Sequence, residues 1–106
     1  MTDLIENTIN TTPEFDDWLD GVRNAQGKAA LLARLDRAKA GNFGDCEPVG
    51  DGVSEMRVFV GPGYRAYFVR TGGTTYLMLS GSDKTDQKRG IKEAKAILDA
   101  LTGKTK

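Results

Sequence analysis

The 106-residue sequence contains no histidine and only one cysteine, Cys46. Without histidine, the Ser-His-Asp and Cys-His arrangements of hydrolases, histidine-liganded zinc and imidazole acid–base catalysis are all excluded. A single cysteine excludes an internal disulfide and any Cys-x-x-Cys metal or redox motif. We therefore expect no metal and no cofactor, and an inert thiol at Cys46. Any catalysis must use arginine, lysine, tyrosine or carboxylate side chains.

Long apolar segments are missing as well. The run Tyr76-Leu77-Met78-Leu79 is among the longest, and it is far too short to cross a bilayer. The segment Met1–Glu6 carries acids where a signal peptide carries basic residues, and it lacks an apolar stretch. We therefore expect a cytoplasmic protein without membrane contact. A hydrophobic content of 39% is typical of a globular chain, and the length predicts one domain over residues 1–106.

Charge is balanced overall but divided unevenly along the chain. The formal net charge is zero. Residues 1–52 contain ten acids and five bases, which gives −5, and residues 53–106 contain five acids and ten bases, which gives +5. Such asymmetry is typical of proteins with an anionic partner. It is equally typical of a fold in which acidic helices attract basic strands.

The first half of the chain predicts a short strand followed by two helices. Leu4 to Asn10 is predicted to form the strand, and Thr12-Pro13 is predicted to start the first helix as N-cap and first-turn proline. Gly27 is predicted to separate this helix from a second one that ends at Gly41-Asn42. The apolar stripes of the two helices are Phe15, Trp18, Leu19 and Val22, then Leu31, Leu32, Leu35 and Ala38.

The second half predicts a meander of three strands and a final helix. Residues 42–52, rich in Gly, Asp and Pro, are predicted to form a loop. A strand with alternating side chains follows, and two glycine-rich turns separate it from strands at Tyr64 to Arg70 and Thr75 to Ser80. The last helix is predicted from the spacing of Ile91, Ala94, Leu98 and Leu101. Gly90 weakens it by about 1 kcal/mol relative to alanine.

The resulting element order is β-α-α-β-β-β-α, which predicts an α+β fold. A helical hairpin would pack on one face of an antiparallel sheet, and the other face would stay open.

Strand alternation suggests which basic residues reach that open face. Arg57 points away from the side that carries Met56 and Val58, and Arg65 shares a strand face with Tyr67. Lys84 follows the last strand. One guanidinium group can donate to two phosphate oxygens at once, which suits it to bind a nucleic-acid backbone or a transition-state charge. The aromatic residues able to stack on an unpaired base are Phe59, Tyr64 and Tyr67.

The same residues also have purely structural interpretations. Arg57 and Arg65 are also compatible with solvated cross-strand pairs to Glu55 or another acid. Tyr67 is compatible with a sheet-face aromatic. The lysines spaced through the last helix are typical of a solvated helix face, and these are Lys84, Lys88, Lys92 and Lys95.

The combination of motifs resembles the addiction-module killer proteins of the HigB-like group, within the RelE/ParE toxin superfamily. The resemblance extends from Phe15 to Leu101. It is carried by five stretches, namely Asn42-Phe43-Gly44-Asp45, Pro48-Val49-Gly50, Val53-Ser54-Glu55-Met56-Arg57, Gly61-Pro62-Gly63-Tyr64-Arg65-Ala66-Tyr67-Phe68, and Leu79-Ser80-Gly81-Ser82-Asp83-Lys84 with Gln87. The fold of that superfamily, a helical hairpin on an antiparallel sheet with a C-terminal helix, agrees with the predicted element order.

This resemblance implies the toxin of a type II toxin–antitoxin system, which cleaves mRNA on the ribosome and is neutralised by a helix-turn-helix antitoxin. It implies that Arg57, Arg65 and Lys84 are catalytic. Arg65 would stabilise the charge of the phosphorane formed when a 2′-hydroxyl attacks the adjacent phosphate, Arg57 would bind the backbone, and Lys84 would assist the leaving oxygen. Glu55, Asp83 and Tyr67 are candidates to move a proton. The predicted RNA-binding residues are Tyr67, Arg70, Lys88 and Arg89.

Two other functions are compatible with the same resemblance. The ParE branch of the superfamily implies a non-enzymatic inhibitor of DNA gyrase, which would account for the sparse catalytic set. The remaining alternative is a protein with the toxin fold that only binds its antitoxin.

Overall fold

A computed structural model describes residues 6–103. The helices are α1 (Pro13–Asp20), α2 (Ala25–Lys39) and α3 (Gln87–Thr102), and the strands are β1 (Thr8–Thr11), β2 (Cys46–Gly50), β3 (Val53–Val58), β4 (Tyr64–Arg70) and β5 (Thr75–Asp83). The strands form one sheet in the order β1-β5-β4-β3-β2. A 3₁₀ turn, Lys84–Asp86, joins β5 to α3. The α+β class and the β3-β4-β5 meander are therefore confirmed.

The sheet is mixed, and the prediction of an antiparallel sheet was wrong in this respect. Strand β1 runs parallel to β5, with Thr8 opposite Thr75 and Thr11 opposite Met78. The other pairs are antiparallel. The residue pattern of a strand indicates which side chains are buried, but it does not indicate the neighbouring strand. Part of the predicted first strand, Leu4 and Ile5, lies outside the described residues.

Residues 42–52 were predicted to be a loop, but they contain strand β2. This strand pairs antiparallel with β3 through a tight turn in which Asp51 and Gly52 have φ values of 56° and 82°. Positive φ at both turn positions matches the twist of a two-residue hairpin. Pro48 is compatible with a strand here because β2 lies at the sheet edge, where a missing N–H disrupts no further pairing.

The helices lie on both faces of the sheet, which corrects the prediction of one open face. Helices α1 and α2 cover one face around Phe15, Leu31 and Met56. Helix α3 covers part of the other, where Ala94 and its neighbours pack on Tyr67. Strand β4 explains the difference, because its first six residues are all buried. A strand with no exposed side is typical of a sheet that is covered twice.

The helix boundaries also differ from the prediction. Gly27 does not break the helix, since it lies in the first turn of α2, where its N–H donates to the Asn24 side chain at 2.7 Å. The actual break is residues 21–24, and α2 ends at Lys39. Leu32 and Leu101 were assigned to apolar faces but are 47% and 59% exposed. Within residues 6–103, no helix is both long and apolar enough to cross a membrane.

Helix α1 is fixed to β5 through its N-cap and an aromatic side chain. The Thr12 hydroxyl accepts from the Phe15 N–H at 3.0 Å and donates to the Leu79 carbonyl at 2.6 Å. The Trp18 indole packs directly over Gly81, where a Cβ atom would lie 2.3 Å from the ring. A side chain at position 81 would therefore separate the helix from the sheet.

Replacing Gly81 by alanine is expected to lower the free energy of unfolding by about 1–3 kcal/mol, because the added methyl overpacks the contact with Trp18. Gly73→Ala is the matched control, since no atom lies within 4 Å of a Cβ at that position. Urea unfolding of both variants measures the difference. Equal midpoints for Gly81→Ala and the unchanged protein would show that the indole moves aside freely.

Candidate functional site

The strand register aligns the predicted basic residues on the face of the sheet that α3 covers only in part. Arg57 on β3 lies directly opposite Arg65 on β4, and Arg65 lies opposite Ser82 on β5. Two residues further along, on the same face, Glu55 lies opposite Tyr67. Alternation therefore predicted the shared face of Arg57, Arg65 and Tyr67 correctly.

Arg65 is the central residue of this face and is unusual because it is buried. Its side chain is only 10% exposed, and its Nη1 lies 3.6 Å from Oε1 of Glu55, beyond hydrogen-bond distance. Within residues 6–103, neither Nε nor Nη1 has a hydrogen-bond acceptor. A guanidinium stays protonated in proteins, and each unpaired buried donor costs about 1–3 kcal/mol. Such a group is a functional-site candidate on physical grounds.

Glu55 supplies the opposite charge but is held mainly by another residue. It is 1% exposed, and both of its carboxylate oxygens accept from Nε2 of Gln87, at 3.0 and 2.9 Å. Gln87 is the first residue of α3. The resulting chain of contacts runs from the helix to the carboxylate and then to the guanidinium.

Arg57 is held at the surface by two acids. Its Nη2 lies 2.7 Å from Oδ1 of Asp45 and its Nη1 lies 3.1 Å from Oε2 of Glu47. The hydrogen bond to Asp45 raises the pKa of Arg57, and the same bond lowers the pKa of Asp45. Surface ion pairs are weak and exchange readily with other anions. The acids on β2 and the preceding loop were not anticipated as partners, because that segment was predicted to be a loop.

Lys84 lies at the end of β5, beside the turn that precedes Arg65. Its N–H donates to the carbonyl of Gly63 at 3.0 Å, and its side chain is exposed. The Gly61-Pro62-Gly63 turn therefore fixes the start of β4 and the position of Lys84 together. The neighbouring Asp83 accepts from the Thr85 hydroxyl and the Asp86 N–H, and the bond from Thr85 lowers the pKa of its carboxyl. Asp83 thus serves as the cap of the turn before α3.

Tyr67 is fully buried, so its ring does not present a surface on which a base could stack. Its hydroxyl lies 2.8 Å from Oγ of Ser82 and donates to the Gln87 carbonyl at 3.4 Å. Burial raises the pKa of the phenol, which opposes its use as a base. Gly90 makes this packing possible, because a Cβ there would lie 2.7 Å from the Tyr67 ring. The glycine that weakens α3 locally therefore allows α3 to approach the sheet.

The other predicted RNA-binding residues do not surround Arg65 closely. Arg70 lies at the opposite end of β4, about 16 Å away at the usual rise of a strand, and it donates to the carbonyl of Gly73 at 2.6 Å. Lys88 and Arg89 are exposed on the first turn of α3, and Arg89 forms an ion pair with Asp86 at 3.0 Å.

Phe59 is the aromatic residue that remains available. It is 72% exposed, whereas Tyr64 is 7% exposed. The Arg65 guanidinium carbon lies 5.7 Å from the centre of the Phe59 ring, which is cation–π distance. Alternation included Phe59 among three aromatic candidates, and only the packing of the helices over Tyr64 and Tyr67 distinguishes it from the other two.

A groove of about 320 Å³ continues from Phe59 towards α2. Three arginines line it, together with one acid, and these are Arg34, Arg37, Arg57 and Asp45. Arg34 donates to the backbone carbonyls of Phe43 and Asp45, so its charge is fixed in place without a carboxylate partner of its own among residues 6–103. The groove is therefore basic next to the Arg65 site. Over the same residues, no group of three or more Cys, Asp and Glu side chains lies close enough to hold a metal ion.

Comparison with known proteins finds a relative that aligns with most of the chain. An uncharacterized protein of Haemophilus influenzae is 42% identical over 93 residues, which cover 88% of this chain and 94% of that protein. No protein-family model matches the chain. The aligned stretch is long enough to include most of the fold.

Proposed function

The chain belongs to the same family as the uncharacterized Haemophilus influenzae protein, and because that relative carries no assigned activity, we propose a function from the site itself. We propose that the protein is the toxin of a type II toxin–antitoxin system and acts in the cytoplasm as a ribosome-dependent mRNA endonuclease. The resemblance of its motifs to the HigB-like killer proteins supports this proposal, and the geometry around Arg65 supports the chemistry.

One observation carries the proposal, and it is the buried guanidinium of Arg65, two of whose donors find no acceptor within residues 6–103. A phosphodiester offers the oxygens that such a group binds, and the interaction strengthens where water is excluded. The exposed Phe59 beside Arg65 offers a stacking surface for an unpaired base. An arginine for the backbone and an aromatic ring for a base are two elements from which single-stranded RNA sites are commonly built.

The surrounding charges fit an RNA chain longer than one nucleotide. Lys84 lies beside the start of β4, and the basic groove leads from Phe59 towards Arg37. The ion pairs of Arg57 with Asp45 and Glu47 are superficial, so a phosphate can exchange with either carboxylate. We propose that RNA crosses Arg65 and continues along this groove.

In the proposed reaction, the 2′-hydroxyl oxygen attacks the adjacent phosphorus, and the bond from phosphorus to the 5′-oxygen of the next nucleotide breaks. The products are a 2′,3′-cyclic phosphate and a 5′-hydroxyl, so the hydroxyl proton is transferred in net terms to the leaving oxygen. Arg65 stabilises the extra negative charge on the phosphorane. Lys84, at the start of the 3₁₀ turn after β5, assists the leaving oxygen.

The protein has good candidates for binding phosphate but few side chains suited to acid–base catalysis. It has no histidine, Tyr67 is buried, and Asp83 caps a turn. Acid–base help contributes typically 10²- to 10⁴-fold, whereas holding the reacting atoms in line can contribute more. We propose that the ribosome supplies that alignment and that the protein supplies the phosphate-binding charge. A helix-turn-helix antitoxin is the proposed neutralising partner.

The test is to induce the protein in bacterial cells and to map mRNA 5′ ends while growth is followed. We expect growth arrest and new ends that are phased with codons on translated messages. Growth arrest with intact mRNA and damaged DNA would replace the proposal with gyrase inhibition. No growth arrest at a verified level of folded protein would leave only antitoxin binding. Messages without a ribosome-binding site are the matched control and should stay intact.

A further inference from the structure

Gln87 and Arg65 compete for the same carboxylate. Glu55 is buried, and both of its oxygens lie within 3.0 Å of the Gln87 amide nitrogen. The nearest nitrogen of Arg65 is 3.6 Å from Oε1 of Glu55. A buried guanidinium beside a buried carboxylate normally forms short, paired hydrogen bonds, because these repay part of the desolvation cost of both charges. Here the amide forms those bonds instead.

The position of Gln87 is fixed independently of Glu55. As the first residue of α3, it follows a 3₁₀ turn that the Asp83 side chain caps. Its carbonyl accepts from the Tyr67 hydroxyl at 3.4 Å, and α3 lies against the Tyr67 ring at Gly90. The amide therefore reaches Glu55 from a helix end that is held by the sheet. The position of the Gln87 amide thus determines the position of the Glu55 carboxylate.

We propose that Gln87 is a positioning residue that holds the Glu55 carboxylate away from Arg65 and thereby keeps Nε and Nη1 of the guanidinium available to a phosphate group of single-stranded RNA. At 3.6 Å, the negative charge of Glu55 still stabilises the buried Arg65 cation electrostatically. It does not take the hydrogen bonds that the ligand needs. The identity of the ligand rests on the proposed function, whereas the competition between Gln87 and Arg65 rests only on the distances.

The test uses Gln87→Leu, which removes the amide and keeps a similar volume. We expect Glu55 to move onto Arg65, and the affinity for a short single-stranded RNA with 2′-O-methyl riboses, which cannot be cleaved, to fall at least about tenfold. The slope of log affinity against log salt should become shallower by about 0.7, the value of one phosphate contact on a single strand. Gln26→Leu makes the same change at an exposed position in the first turn of α2 and should alter neither quantity.

Two further measurements separate positioning from a general loss of structure. The melting temperature of Gln87→Leu should stay close to that of the unchanged protein, because the new Glu55–Arg65 bonds replace the lost amide bonds. Adding Glu55→Gln to Gln87→Leu should restore RNA binding to within about threefold, since an uncharged amide competes weakly for a guanidinium. Because this double variant also loses the counter-charge of Arg65, its binding is measured well below its own melting temperature. Reduced binding with a lowered melting temperature and no rescue would overturn the proposal.

A readout that needs no RNA keeps the two proposals distinguishable. NMR signals of the Arg65 side-chain N–H groups report hydrogen bonding to Glu55, and we expect slower exchange of these protons with water in Gln87→Leu. Slower exchange in a protein that binds no RNA would refute the proposed ligand and leave the positioning role intact. RNA binding that is unchanged in Gln87→Leu, with unchanged exchange, would refute the positioning role and leave the proposed function intact.

Discussion

Replacing Arg65 by lysine is expected to lower the rate of mRNA cleavage by about 10²- to 10³-fold, the usual cost of losing one preorganised donor to a transition-state oxyanion. Lysine keeps the positive charge that Glu55 requires, so the fold should survive. It lacks the planar arrangement of donors with which a guanidinium binds two phosphate oxygens. Single-turnover cleavage of an mRNA on programmed ribosomes measures the rate, and growth arrest on induction should be lost in parallel.

Arg70→Lys is the matched control for this experiment. Arg70 lies on the same strand, but it is exposed, and its guanidinium donates to the carbonyls of residues 72 and 73 in the turn. We expect its rate to equal that of the unchanged protein. A wild-type rate for Arg65→Lys would show that Arg65 is a structural residue and that the phosphate is bound elsewhere.

Replacing Glu55 by leucine is expected to lower the free energy of unfolding by about 3–5 kcal/mol, because it leaves the buried Arg65 cation without a counter-charge. This is a large part of the total stability of about 5–15 kcal/mol that is typical of a small domain. Urea unfolding followed by circular dichroism measures the change. The double variant Glu55→Leu with Arg65→Met should recover most of the loss, since neither buried charge then remains.

Glu47→Leu is the control, because Glu47 lies directly opposite Glu55 on β2 and faces the same side. Its side chain is 58% exposed, compared with 1% for Glu55, and we expect little change in stability. If Glu55→Leu proved as stable as the unchanged protein, Arg65 would have to be solvated by water, and its buried donors could not carry the proposed phosphate site.

The sequence predicted the parts of the site that depend on local geometry. Strand alternation placed Arg57 and Arg65 on one face, and the glycine–proline turn was correctly read as joining two strands. Alternation has a period of two whatever packs above the sheet, so side-chain direction could be derived without knowing the partner elements. The same reasoning could not rank the three aromatic candidates, because Tyr64 is buried under α1 and α2 and Tyr67 under α3, and strand alternation does not indicate which helix covers which face.

The partners of the charged residues were beyond sequence reasoning. Arg57 meets Asp45 and Glu47 only because residues 46–50 form an edge strand, and a segment rich in Gly, Asp and Pro predicts a loop. Gln87 reaches Glu55 across 32 positions of the chain, and no residue pattern indicates that contact. The burial of Arg65 is also a tertiary feature that no residue pattern indicates.

Arg65 illustrates which features follow from the sequence alone and which depend on the tertiary structure. The absence of histidine, the α+β class, the three-stranded meander and the direction of Arg65 all follow from composition and local periodicity. The placement of α3 against the sheet, which buries Tyr67 and brings Gln87 to Glu55, follows only from the tertiary structure. The hydrophobic effect is non-directional and depends on the apolar area that is buried. The apolar stripe of α3 therefore does not indicate by itself which face of the sheet the helix covers. Arg65 is likewise defined only by the tertiary structure, as a buried cation whose Nε and Nη1 have no hydrogen-bond acceptor within residues 6–103.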